Sequence, residues 1–172
     1  MSALSPNQIL ITNEGNQCVE EYNLDTGEMI PFAAACDGTA GSSHTGHRIN
    51  DISMNEPMGV LYDGGQKVYV SIYVTSTILA IDTTTDQSSI LLTTSIRPRL
   101  LGYGLDLDII HITLNNGFGA IKDGSLEYII GTSGQSAGKT SGDISTTLML
   151  YPLAFVEVEN GTWVVADRSN NR

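Results

Sequence analysis

Basic residues are scarce in this chain: eight lysines and arginines stand against nineteen aspartates and glutamates, for a formal charge of −11. A potential of that sign repels nucleic acid and anionic membrane surfaces, which are bound by basic faces that release counterions. No nucleic-acid partner is therefore expected. Long apolar runs are also missing; the longest, such as the one at 89–93, are strand-sized, so no membrane insertion is expected. Residues 1–8 lack the basic start and apolar run of a signal peptide. Cysteine is limited to two positions, Cys18 and Cys36.

What is present is a repeat. Three prolines head similar segments, PMGVLYDGGQKVYVSI from Pro57, PRLLGYGLDLDIIHIT from Pro98 and PLAFVEVENGTWVVAD from Pro152. Each holds an apolar run, a polar or glycine-containing turn and a second apolar run, and each ends 15 residues past its proline, at Ile72, Thr113 and Asp167. Three positions beyond those anchors stand Thr75, Asn116 and Asn170, and after the first two a third apolar run begins, ILAID and FGAIKD. A fourth copy opens the chain, with ILITN ending at Asn13, Asn16 three further on, and CVEEYNL after it. A turn and a last apolar run (MIPFAAA, SSILLTT, LEYII) complete the unit. Four short β-prone runs joined by Gly, Asp and Asn turns describe an antiparallel four-stranded sheet, and repetition of such sheets marks a propeller. Glycine-rich inserts at 38–46 and 131–142 account for the unequal spacing of the copies.

The order of proline, strand, VYVS or WVVAD, then a polar stretch with asparagine resembles the NHL repeat, most closely in WVVADRSNNR at 163–172. Gluconolactonase-like and strictosidine-synthase-like propellers share similar motifs. The sequence departs from the pattern where Ile72 and Thr113 occupy the Asp167 position and where Arg99 follows Pro98. The resemblance implies an all-β, NHL-type β-propeller of four-stranded antiparallel blades in an incomplete ring of about thirteen strands, roughly half of a six-bladed ring. The expected blades are 1–37 lacking its first strand, 56–95, 97–132, and 151–172 lacking its last strands, with long loops at 38–55 and 133–150. Unclosed ends would expose sheet edges. The chain accordingly reads as a fragment of a longer product or as a half-propeller that self-associates through those edges.

Alternating strands place the blade links and the second-to-third-strand loops (13–17, 72–76, 113–117, 167–171) on one rim, the usual binding side of a rigid scaffold. His44, His47, Arg48, Asp51, Lys139, Asp143, Asp167 and Arg168 are expected to decorate it. His44 and His47 form HTGH with Asp51 nearby, short of the converging ligands and supporting groups that a metal site needs. No metal or other cofactor is expected. His111, inside the strand IIHIT, is expected to be buried and hydrogen-bonded. Asp167 with Asn170 and Asn171 reads as a turn former. GTSGQSAGKTSG fails the phosphate-loop spacing, and no helix follows it.

Cys18 and Cys36 flank a hairpin centred on Thr26–Gly27. Pairing about that centre, with a one-residue bulge, places them within disulfide reach; two separate buried thiols are the alternative. Asn160-Gly161-Thr162 is a glycosylation sequon and also a tight hairpin turn. Together these lean toward an extracellular protein. The expected function is a non-catalytic binding or scaffold propeller that presents a loop-lined rim to a protein or glycan. A metal-dependent channel hydrolase or lyase of gluconolactonase-like type is the enzymatic alternative, and a structural repeat within a larger multidomain protein is the third.

Overall fold

The computed structural model describes residues 1–131 and 147–171, and the chain divides into two compact units, Met1–Thr93 and Thr94–Arg172. In the first unit β1 (Ser2–Ser5), β2 (Gln8–Asn13), β3 (Cys18–Asn23) and β4 (Met29–Ala33) form one antiparallel sheet in chain order. A short β5 (Gly46–His47) then joins β6 (Pro57–Tyr62), β7 (Lys67–Ile72), β8 (Thr77–Asp82) and β9 (Gln87–Thr93) in a second sheet of order β5-β9-β8-β7-β6. The second unit holds β10 (Pro98–Tyr103), β11 (Ile110–Leu114), β12 (Gly117–Lys122) and β13 (Ser125–Ile130) in a third sheet. A hairpin of β14 (Pro152–Glu159) and β15 (Thr162–Asp167) follows, and a 3-10 turn, Arg168–Asn170, comes after it. The protein is all-β, with four antiparallel sheets among the described residues and none closed into a barrel, as in an incomplete propeller.

Described residues form fifteen strands rather than about thirteen, and two short strands make the difference. β1 supplies the opening strand that the first sheet was expected to lack, pairing Ser2 with Leu10 and Ala3 with Ile9. It has no heading proline and is four residues long, so the repeat does not announce it. β5 lies inside the glycine-rich link and pairs Gly46 with Ser88 and His47 with Gln87. It covers part of the β9 edge, whose backbone groups would otherwise stand unpaired.

The repeat spacing has a structural meaning. Pro57 pairs with Ile72 and Pro152 with Asp167, so fifteen residues is the distance around a hairpin to its closing pair. Pro98 instead pairs with Leu114, one residue later, with a bulge between Pro98 and Leu101. The side chains explain the shift. Ser71 Oγ accepts from the Gly59 amide at 2.9 Å, and Thr113 Oγ1 accepts from the Leu100 amide at 3.0 Å. In both hairpins the amide two residues past the proline is satisfied by a hydroxyl on the next strand. Ser71, rather than Ile72, is therefore the counterpart of Thr113.

Tight turns at the other strand ends are built by Asx side chains that accept from amides two to four residues on. Asn23 Oδ1 takes the amides of Asp25 and Thr26, and Asp63 Oδ1 takes those of Gly65 and Lys67. Asp82 Oδ1 takes those of Thr84 and Thr85. The Thr84 hydroxyl and these two amides hold the Asp82 carboxyl down to about 2.

The core of the first unit joins Leu10, Val19, Phe32 and Ala33 of the first sheet to Val60, Val68, Val70 and Ile81 of the second. Each fully buried aliphatic side chain of this kind stabilises by about 1.5–3 kcal/mol. Arg48 reinforces the contact from the link. Its Nε meets Asp86 Oδ1 at 2.6 Å, Nη1 donates to the Phe32 carbonyl, and the guanidinium lies 4.4 Å from the centre of the Phe32 ring. In the second unit Ile112 and Leu114 are fully buried and an aromatic cluster adjoins them. Phe118 is fully buried, with ring centres of Phe155 and Trp163 each 5.0 Å away and His111 at 5.9 Å.

Candidate functional site

Within the first unit, three loops bond into one continuous surface at one end of the two sheets. The Gly38 amide donates to the Asn16 carbonyl in the β2–β3 turn, and the Glu56 amide donates to Gln17 Oε1 at 2.7 Å. Tyr73 and Val74 of the β7–β8 turn donate to the carbonyls of Glu56 and Asn55. The link between the sheets is itself folded back, with Gly41 N–H to Met54 C=O, Ser53 N–H to Ser43 C=O, and the Ser43 hydroxyl to the Asp51 carbonyl at 2.7 Å. A loop rich in glycine and serine is thus pinned along its length.

This surface holds a cleft of about 130 Å3, lined by Gln17, Ala34, Cys36, Asp37, Thr39 and Ser53 among others. Drug-sized ligands occupy about 300–1,000 Å3. The cleft therefore fits a terminal group, such as one sugar edge or one side chain, rather than a whole small molecule. Three of the lining residues, Gln17 (φ 58°), Ala34 (φ 62°) and Cys36 (φ 55°), adopt left-handed backbone conformations without being glycine. Such strain persists where the surroundings over-determine it, and it clusters at ligand clamps. Here a disulfide between Cys18 and Cys36, Cα atoms 5.0 Å apart, and the Gln17 side chain supply the constraint. Gln17 Nε2 donates to the Glu14 carbonyl at 2.7 Å while its Oε1 holds the Glu56 amide.

The cysteines come together by a different register from that expected. Pairs Tyr22–Met29, Glu21–Ile30 and Glu20–Pro31 centre the hairpin on Asp25–Thr26. A bulge then shifts Val19 to Ala33, and the left-handed Ala34 and Cys36 carry the chain the rest of the way.

At the mouth of the cleft, the Thr39 amide and hydroxyl hold the Asp37 carboxyl below its usual range, with Asp37 Oδ1 2.8 Å from the Thr39 nitrogen. An ionised acceptor in a chain of charge −11 favours hydroxyl and ammonium donors over anions. Gln17, Asp37, Thr39 and Ser53 are site residues that sequence reasoning missed. The Asp37-Gly38-Thr39 turn directly after Cys36 was the available signal.

Residues singled out from sequence are distributed differently. His44 is buried, its carbonyl accepts from Ser88 Oγ at 3.0 Å, and its Nε2 meets no hydrogen-bond partner. His47 and Asp51 do meet: the His47 amide donates to Asp51 Oδ2 at 2.8 Å and the Asp51 amide returns to the His47 carbonyl. They shape a turn around Gly46, whose φ of 119° favours glycine and where a Cβ would strike the Asp51 side chain. Pairing His47 with Gln87 places it at the β8–β9 turn, the end of the second sheet opposite the β7–β8 turn. The expected single rim therefore does not hold for His47 and Arg48; adding β5 to the edge of β9 draws them away, and Arg48 is spent on Asp86 and Phe32.

In the second unit Asp167 is buried, with Oδ1 accepting the Leu150 amide at 2.8 Å and Oδ2 the Asn170 amide group at 2.6 Å, while Arg168 is exposed beside it. Lys139 and Asp143 lie outside the described residues. Among the described residues one set of three metal-type ligand atoms lies within 4.8 Å of one another, from Cys18, Glu20 and Cys36, and both of its sulfurs are consumed by the disulfide.

His111 is buried as expected, but its Nδ1 has no hydrogen-bond partner and its ring lies 4.2 Å from Trp163. Burial lowers its pKa against the opposing pull of Glu157, the Ile109 backbone and Asp106. Burial alone lowers that of His44. A histidine whose folded pKa is depressed is protonated first in the unfolded chain, so its stabilising contribution is complete above about 6.5 and drains as pH falls below that value. Denaturant midpoints measured from pH 7.5 to 5.5 should fall, and His111→Phe should flatten the decline in the second unit.

Comparison with known proteins returns the fold alone. No family model matches the sequence, and no curated protein matches it. A structural genomics protein of unknown function from Bacteroides thetaiotaomicron VPI-5482 superposes with a TM-score of 0.67 at 14% identity, over 96% of this chain and 43% of that one. An auxiliary nutrient binding protein from the same organism superposes with a TM-score of 0.58 at 11% identity, over 96% of this chain and 51% of that one. The chain thus spans about half the length of these solved structures and shares their all-β fold.

Proposed function

We propose that this chain is a non-catalytic NHL-type propeller module that binds a glycan or protein through the loop surface around the Cys18–Cys36 cleft. One observation carries the reading: non-glycine residues in left-handed conformations line a cleft whose walls are fixed by a disulfide and by loop-to-loop hydrogen bonds. Preorganisation of that kind reduces the ordering cost of binding. The likeness to an auxiliary nutrient binding protein is compatible with it at the level of fold. The cleft volume and the Asp37 carboxylate favour hydroxyl donors of a sugar terminus over an anionic ligand.

A neutral-glycan array is the direct test. Binding to one glycan class should fall at least about tenfold on Asp37→Ala, with the thermal transition unchanged. Equal binding by Asp37→Ala would move the site elsewhere. Lactone hydrolysis that requires an added divalent ion would replace the binding reading with the enzymatic one.

A further inference from the structure

The disulfide of the first unit sits beside a carboxylate. Strand side chains alternate between faces, so Cys18 and Glu20, two apart on β3, project to the same side. Cys36 reaches that side from beyond β4 through its bond to Cys18. The two sulfurs and one Glu20 carboxylate oxygen all lie within 4.8 Å of one another. Glu20 is held in place: its Oε2 accepts from Asn13 Nδ2 at 2.8 Å, and Asn13 is the residue that pairs with Cys18 across β2 and β3. Burial differs between the two sulfur residues. Cys18 is fully buried, whereas Cys36 is half-buried and lines the cleft.

Two thiolates and a carboxylate are all zinc donors, and three such atoms leave a fourth tetrahedral position for water. Soft sulfur ligands select zinc over calcium or magnesium. We propose that the reduced chain binds one Zn2+ through Cys18, Glu20 and Cys36, with the fourth position open to the cleft. Reduction starts at Cys36, the more accessible sulfur. A dithiol thiolate attacks it and expels the Cys18 thiolate; the second thiol of the reagent then displaces Cys36, leaving a cyclic disulfide and two protein thiols. Zinc binding releases both thiol protons. Ligand bonds of about 2.3 Å put two sulfurs on one tetrahedral ion roughly 3.8 Å apart. Cα atoms 5.0 Å apart accommodate that by side-chain rotation, with β3 in place. Asp37, ionised at the mouth of the cleft, and the chain's charge of −11 raise the local concentration of cations. The ion thus takes the place of the cross-link when the disulfide is lost.

Cobalt(II) serves as a coloured stand-in for zinc, added to the full chain after reduction by a dithiol and anaerobic desalting. One equivalent should develop the near-ultraviolet charge-transfer band of thiolate–cobalt bonds, zinc should bleach it, and the oxidised chain should show none. Zinc should also restore the amide-exchange protection of β2, β3 and β4 that reduction removes. Glu20→Gln keeps both sulfurs, and its oxidised form should match the parent in thermal transition. Once reduced, it should hold zinc at least about tenfold more weakly than the parent. A reduced parent without the band, a band that needs two chains per ion, or protection that zinc does not restore overturns the proposal. Equal zinc affinity in reduced Glu20→Gln overturns it as well.

Discussion

Phe118→Ala is expected to destabilise the second unit by about 3–5 kcal/mol, the range for removing a buried aromatic ring from a core that cannot collapse around the void. Phe118 is fully buried and its neighbours are rigid rings on three other strands, His111, Phe155 and Trp163, with centres 5.0–5.9 Å away. The readout is unusually selective. The chain contains one tryptophan, Trp163, so fluorescence follows the second unit alone. Its urea midpoint should drop sharply while amide exchange in 1–93 stays as in the parent. A loss below about 1 kcal/mol would mean that the ring cluster is not a packed core.

Removing the cross-link is expected to act on the other unit. Replacing both Cys18 and Cys36 by alanine releases a loop of sequence separation 18, for which chain-entropy arguments give about 3 kcal/mol. The loss should appear in amide exchange of β2, β3 and β4, leaving Trp163 fluorescence unmoved. Because Ala34 and Cys36 owe their left-handed conformations to the same constraint, ligand binding should weaken even under conditions where the variant is fully folded. Addition of a dithiol reductant to the parent should reproduce both effects. If the double variant matches the parent in stability and binding, the link is held by its hydrogen bonds alone.

Much of the architecture was legible because it rests on local chemistry that repeats. Pro57, Pro98 and Pro152 each open a strand, and the fifteen-residue interval to Ile72 and Asp167 is the length of a closed hairpin. Legibility failed where the chain departs from periodicity. β1 and β5 contain no repeat residue, and they exist because neighbouring edges offer unpaired backbone groups. One bulge was enough to displace Thr113 from its anchor.

The candidate site was less legible for a related reason. HTGH drew attention to His44 and His47, whereas tertiary contacts buried the first and carried the second to the far end of the sheet. The cleft arises from Gln17, Cys36 and Asp37, whose meeting depends on backbone conformations that composition does not encode. The cysteine pair and the Asp37-Gly38-Thr39 turn after it pointed to that place from sequence, the pair through a hairpin register two units from the observed one (pair sums of 53 expected, 51 observed).

The position of the cross-link has a consequence for how the molecule withstands proteolysis. Leu24 to Glu28, at the tip of the β3–β4 hairpin, is exposed throughout and offers proteases a ready point of attack. Cys18 and Cys36 lie on either side of it. A chain nicked there stays in one covalent piece, with both halves of the hairpin still bonded to their neighbours and the cleft walls in place. Damage at this exposed turn of the first sheet is thereby made silent until a reductant is added.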